Sequence, residues 1–241
     1  MTKIRDQLVA MGAEKLADIL LEFSDLHKDI KKKLTVVIAG QIEDPKKLLS
    51  IINKELSTLK KAKGMIFYED VKKFAQRLDA LRHYIVDDLA SKSVNYAVEA
   101  MGVFLDLADH TIARTDDSYG YIGDIFAKAC RNWGQLYGQS RYELETCVQD
   151  VYNRFLNDPQ GIFDHVIFDF KDVLGEKGLN LLESKFLGGD TKTSRDKYKQ
   201  KEALMNIADC KKDVDAFIAI ISANNNMHFN DRLDIIRRLL G

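Results

Sequence analysis

Residues 71–89, VKKFAQRLDALRHYIVDDL, place Val71, Phe74, Leu78, Leu81, Ile85 and Leu89 three and four positions apart. An apolar side chain returning every three to four residues stays on one face of an α-helix, whereas a half-buried strand would alternate every second residue. Lys72, Lys73 and Gln76 occupy the opposite side. The stretch predicts an amphipathic helix of about five turns.

The same period repeats along the chain. Leu16, Ile19, Leu20 and Phe23 form one stripe, and Leu48, Ile51, Ile52 and Leu59 another. Val94, Ala97, Met101, Leu105, Ala108 and Ile112 predict a long helix. Ile122, Phe126, Ala129, Trp133 and Leu136 follow, then Leu144, Cys147, Val148, Val151 and Phe155. The short HVIFDF at 165–170 is read as helical or irregular, since a lone strand has no sheet to join. Two prolines in 241 residues leave helix interiors intact. Pro45 fits a first helical turn with Asp44 as its cap.

Short turns between amphipathic helices imply antiparallel neighbours. The expected fold is all-α: stacked antiparallel helix pairs of roughly 28 to 48 residues, the scale of tetratricopeptide or HEAT repeats in a right-handed superhelix. An irregular bundle is the alternative, because no tetratricopeptide Trp-Leu-Gly-Tyr spacing recurs. The polar stretch GGDTKTSRDKYKQKE (188–202) reads as a linker. It divides a helical-repeat domain, 1–187, from C-terminal helix pairs, 188–241, that continue the stack. The final helix, with Leu233, Ile236, Leu239 and Leu240 on one face, has no later helix to cover it; a homodimer or a truncated chain would account for this.

Composition narrows the function classes. With 46% hydrophobic and 30% charged residues the chain is globular, not disordered. No apolar run approaches the roughly 18 residues of a membrane span, and MTKIRDQLVAMGAEK has no signal-peptide core. Cys130, Cys147 and Cys210 are an odd, dispersed set. They read as reduced core thiols of a cytoplasmic protein. The net charge of −1 is uneven: residues 1–80 carry +4, 81–160 carry −5 and the rest balance. An acidic centre disfavours phosphate binding there.

Residues 114–126, RTDDSYGYIGDIF, carry the candidate site. Thr115, Asp116, Asp117 and Ser118 are all helix N-cap types. Gly120 and Gly123 are not needed for capping, and their absent side chains would let a neighbouring helix or a partner approach closely. Asp124 stands four residues before Lys128, the spacing of a surface ion pair. Counting an EF-hand loop from Asp116 places Ala127 where its twelfth-position glutamate belongs, and no Gly-Lys-Ser/Thr phosphate loop is present. Three carboxylates would still suit a divalent cation or a basic side chain of a peptide, with Tyr119 and Tyr121 alongside.

Five histidines (His27, His83, His110, His165, His228) lack metal-ligand spacing. His110 and Ser118 could be drawn as a nucleophile pair, but no strained turn exposes Ser118. Arg82 is expected to pair with Asp79 on its own helix, or to reach Asp116, Asp117 or Asp124 from a neighbouring one. Lys31–Lys33, Lys46–Lys47, Lys60, Lys61, Lys63 and Lys72–Lys73 lie on polar helix faces and would form a basic stripe if those faces align.

GAEKLADILLEFSDLHKDIKKKL (12–34), FAQRLDALRHYIVDDL (74–89) and RTDDSYGYIGDIFAKAC (114–130) together resemble a bacterial helical-repeat family, a domain of unknown function. Some members carry a SWIM-type zinc finger. The resemblance runs over most of the chain and implies a helical fold, with further helix pairs beyond residue 241. No SWIM cysteine-histidine pattern occurs here, so it implies no zinc.

The expected function is a non-enzymatic scaffold for a protein or peptide, with no metal, cofactor or catalytic residue assigned. Its expected contact residues are Asp116, Asp117, Ser118, Tyr119, Tyr121, Asp124 and Arg82. A nucleic-acid module using the N-terminal lysines, and an enzyme with an acidic site at 116–124, are the alternatives.

Overall fold

The computed structural model describes residues 2–27, 30–31, 34, 38, 43–223 and 229–240. Most of these residues are helical, and there is no strand among them. Helices α1 (Thr2–Ala10), α2 (Ala13–Leu26) and α3 (Pro45–Lys61) come first. The Asp44 carboxylate caps α3, accepting from the backbone N–H of Lys46 at 2.9 Å.

Helix α4 (Tyr68–His83) runs through a π-helical segment, Tyr84–Leu89, into the short α5 (Ala90–Lys92). The opening stripe faces inward as read: Val71, Leu78, Leu81, Ile85 and Leu89 are buried, and Phe74 is partly covered. Ser93 then caps α6 (Val94–Leu105), accepting from Tyr96 N–H.

The long helix expected over 94–112 is two: the chain turns at Asp106 and Leu107 and restarts as α7 (Ala108–Ala113). Leu105, Leu107 and Ala108 are all buried, so the apolar period runs through the turn and conceals it. Next are α8 (Tyr121–Gln139), α9 (Leu144–Leu156), the single turn α10 (Val166–Asp169) and α11 (Lys171–Leu187), kinked at Gly175.

Helix α12 (Ser194–Lys211) begins inside the stretch read as a linker. A reciprocal cap starts it: Thr193 Oγ1 accepts from Asp196 N–H at 3.1 Å, and the Asp196 carboxylate accepts from Thr193 N–H at 2.8 Å. Only residues 188–193 remain as a connection. Helices α13 (Val214–Ser222) and α14 (Phe229–Leu240) complete the chain.

Helices pack in sequence order: α3 on α6, α4 and α6 on α8, α9 on α11, α11 on α12, α12 on α13, α13 on α14. One core runs from Leu48 on α3 to Ile207 on α12. Each fully buried Phe or Leu in it contributes about 1.5–3 kcal/mol. A small second cluster, Ala208, Phe217 and Ile221, receives Ile235 of α14. Arg238 fixes that contact, its guanidinium 3.7 Å from the Phe217 ring centroid and paired with Asp209. Helix α14 is therefore docked on α13, while Ile236 and Leu239 stay exposed and the Leu240 side chain lies outside the described residues. Of the α2 stripe, Leu20 and Phe23 are exposed, and Leu16 and Ile19 are half-buried.

Candidate functional site

The 114–126 motif is tied to the loop before α4 by backbone alone. Ile66 N–H donates to the Arg114 carbonyl at 2.8 Å, and Asp116 N–H donates to the Ile66 carbonyl at 3.1 Å. This isolated parallel bridge sets the two segments side by side.

Of the four cap candidates, Asp117 alone caps α8. Its Oδ2 accepts from the N–H groups of Ile122 at 2.9 Å and Gly123 at 3.0 Å, two of the orphan donors of the first turn. Asp116 Oδ1 instead accepts from Ser118 Oγ at 2.7 Å. Thr115 Oγ1 donates back to the Thr111 carbonyl at 2.7 Å.

Gly120 holds the N-cap position itself at φ 72°, a left-handed conformation that glycine enters without a Cβ penalty. No neighbour approaches either Gly120 or Gly123: a Cβ at each would meet nothing within 4 Å. The expected close approach of a neighbouring helix at these two positions is therefore corrected. Gly120 is required for its backbone angle, and nothing in the structure explains Gly123.

The bridge brings Tyr68, the first residue of α4, against the motif. The Tyr68 and Tyr119 ring centroids are 5.5 Å apart, and those of Tyr119 and Tyr121 5.8 Å. All three rings are exposed. With Glu69, Val71, Lys72 and Asp116 they line a groove of about 220 Å³. A hydrogen bond with Tyr119 is the main cause holding the Tyr68 phenol above its usual range; partial desolvation, Tyr121 and Asp116 add to it.

The motif residues thus divide. Asp116, Tyr119 and Tyr121 line the groove, Ser118 orients Asp116, and Asp117 serves the helix. Asp124 is exposed on the next turn and forms no ion pair with Lys128.

Arg82 does not reach the motif. Its Nε donates to Asp79 Oδ1 at 2.8 Å, as the spacing on α4 predicts, and Nη1 donates to Asn132 Oδ1 at 2.5 Å. Asn132 lies beyond Asp124 on α8, so Arg82 meets the right helix two turns too far along. His110 Nε2 is 2.7 Å from the Ala62 carbonyl and Ser118 bonds Asp116, so the two form no nucleophile pair.

Lys46 and Lys47 start α3 and Lys60 and Lys61 end it, about 20 Å apart along the axis. Lys32, Lys33 and His228 lie outside the described residues. Sequence reasoning missed Tyr68, Glu69 and Lys72 as groove residues. No local signal joins them to a motif about fifty positions later.

Among the described residues no group of three or more His, Cys, Asp or Glu side chains is arranged to hold a metal ion, and no helix is long and apolar enough to cross a membrane. Residues 4–194 match the model of a family of unknown function (DUF6880), and the chain belongs to that family. No curated protein and no solved structure matches it.

Proposed function

We propose that this member of the DUF6880 family is a non-enzymatic helical scaffold, built of stacked helix pairs, that binds an extended peptide segment of a protein partner across the tyrosine groove. The observation that carries this reading is the convergence of three exposed tyrosines from two segments about fifty residues apart. Tyrosine rings present broad, rigid apolar faces at low entropic cost and keep a hydroxyl for bonding, which makes them frequent anchors of recognition surfaces. Exposed Met65 and Phe67 extend the apolar character beyond the rings. Asp116, held by Ser118, supplies a fixed acceptor at the groove wall. The complementary ligand lays aliphatic or proline side chains over the rings and offers a basic residue to Asp116 and Glu69. Helix stacking in sequence order supports the scaffold reading, because such stacks offer extended surfaces to partners.

The test is selection of linear peptides from a displayed random library against the wild-type chain, followed by titration of the selected peptides. Dissociation constants in the micromolar range are expected, about −8 kcal/mol of binding free energy. Tyr119→Ala, an exposed change that leaves the core intact, should weaken binding about tenfold or more. Peptides that bind Tyr68→Ala and Tyr119→Ala as well as wild type, or no enrichment at all, would sink the reading.

A further inference from the structure

A second, larger cleft opens between α6, α8 and α9, and it takes up neither the tyrosine groove nor the motif. Its volume is about 600 Å³, within the range of pockets that enclose small ligands. Its aromatic lining includes Trp133, Tyr137 and Tyr142.

Among the described residues Arg154 is the only basic side chain lining it, and Arg154 is already engaged. Its Nη2 donates to the Gly102 carbonyl at 2.7 Å and to Asp106 Oδ1 at 2.6 Å. Its guanidinium lies 5.3 Å from the ring centroids of both Trp133 and Phe163. The cleft thus stacks one guanidinium between two aromatic faces as part of its own wall.

Three further carboxylates line the cleft, and none of them forms an ion pair among the described residues. Glu99 is exposed at the mouth. Asp150 accepts a hydrogen bond from the Tyr137 hydroxyl. Asp109 has a buried Oδ1 that no donor reaches. An anion would meet uncompensated negative charge here. A neutral ligand forgoes charge pairing with these carboxylates, whereas a cation gains charge-assisted hydrogen bonds, roughly twice as strong as neutral ones.

We propose that this cleft binds an organic cation, an amine or guanidinium group, which pairs with Asp109, Asp150 and Glu99 and lies over the exposed ring of Tyr142. Charge complementarity selects the class of ligand, and the aromatic faces favour a cation over a neutral isostere. Burial pushes the Asp109 carboxyl above its usual range, and Asp158 adds to this while Arg154 opposes it. A bound cation favours the ionised form. The group can arrive on a free small molecule or on the basic side chain of a peptide.

Trp133 is the only tryptophan of the chain and lines the cleft, so its emission reports occupancy directly. The experiment titrates the full chain with L-argininamide, spermidine and a blocked Gly-Arg-Gly tripeptide, followed by Trp133 emission and calorimetry. Citrulline is the neutral isostere and N-acetylglutamate the anion. Saturable binding of a cationic probe in the millimolar range or tighter is expected, with citrulline and N-acetylglutamate at least tenfold weaker. Argininamide or spermidine binding tighter than the tripeptide identifies a free ligand; the reverse identifies a peptide side chain. Asp109→Asn should weaken binding about tenfold. Glu99→Gln, an exposed change that leaves folding intact, should weaken it several-fold. Absence of any emission change or heat with every cation overturns the proposal. So does equal binding of citrulline and argininamide, or wild-type affinity in the Glu99→Gln variant. Tyr119→Ala should leave cation affinity unchanged, which keeps this result separate from the fate of the groove.

Discussion

The backbone carbonyl of Asp169 lies against Gly134 of α8 so closely that a Cβ on Gly134 would sit 2.7 Å from its oxygen. The ring of Phe170 would be 3.3 Å from the same atom. This is how α10 reaches the central helix: the contact is backbone to backbone, and no rotamer change relieves it. Gly134→Ala should therefore destabilise the chain by about 1–3 kcal/mol, the usual cost of overpacking. Gly123→Ala is the matched control, because a Cβ there meets open space. Replacing a helical glycine without a clash should gain about 0.5–1 kcal/mol. Urea unfolding of both variants checks the pair, and a stable Gly134→Ala chain would show that α10 yields.

Asp117 holds the start of α8 through two backbone donors. Its other oxygen, Oδ1, is buried without a partner. Asp117→Ala should cost about 1 kcal/mol, as loss of a helix cap does. Asp116→Ala should cost much less, because the Asp116 carboxylate bonds only Ser118 among the described residues and the backbone bond to Ile66 survives the change. Equal losses in the two variants would show that the cap is shared after all.

The helices were legible because burial is periodic. The 71–89 stripe, the cap at Asp44 and the Asp79–Arg82 pair follow from spacing within one element, whereas Asp117 was one of four equal cap candidates until the structure chose it. What spacing does not carry is where two distant elements meet. The Tyr68–Tyr119 contact depends on a backbone bridge at Ile66 and Thr115 that has no side-chain signature. Gly123 and Gly134 are the same residue on the same helix, and only the position of α10 separates the open one from the crowded one. The −5 charge of the central segment was visible, but not that Glu99, Asp106, Asp109 and Asp150 line one cleft.

Asp109 should make the pH dependence of stability unusual. Its carboxyl is raised in the folded chain, chiefly by burial, and Asp169 is raised for the same leading reason. A raised folded-state value means the native chain binds the proton more tightly than the unfolded chain does. That stabilisation is complete below the unfolded-state value and is lost as pH rises through the folded one. At neutral pH the ionised Asp109 is therefore a burden, and Asp109→Asn should raise Tm by about 1–3 °C, the shift for roughly 0.5–1 kcal/mol in a chain of this size. The advantage should shrink as pH is lowered into the carboxylate range. A clear drop in Tm for the variant at pH 7 would mean that the carboxylate has a stabilising partner. Stability gained with cation affinity lost is the trade expected of a binding residue.

The three cysteines should be chemically silent in the native chain. Burial raises all three thiols: Cys130 well above its usual value with Asp169 adding to the effect, Cys147 to about 12 and Cys210 to about 11. The thiolate is the reacting species, so a thiol near 11 is about a thousandth ionised at pH 8, against roughly a quarter for a free cysteine. Cys130 and Cys147 are also enclosed by the core, so reagent reaches them only when the chain opens. Cys210 is half-covered and should react first, yet at least a hundredfold slower than free cysteine. Titration with an aromatic disulfide reagent at pH 8 should show almost no fast phase in the native chain. Three equivalents should react promptly in guanidinium, since no cysteine is in a disulfide. A fast native equivalent that disappears on Cys210→Ser would place the C-terminal end of α12 in an open state. One that disappears on Cys147→Ser would instead place the opening at α9, on the wall of the cation cleft itself.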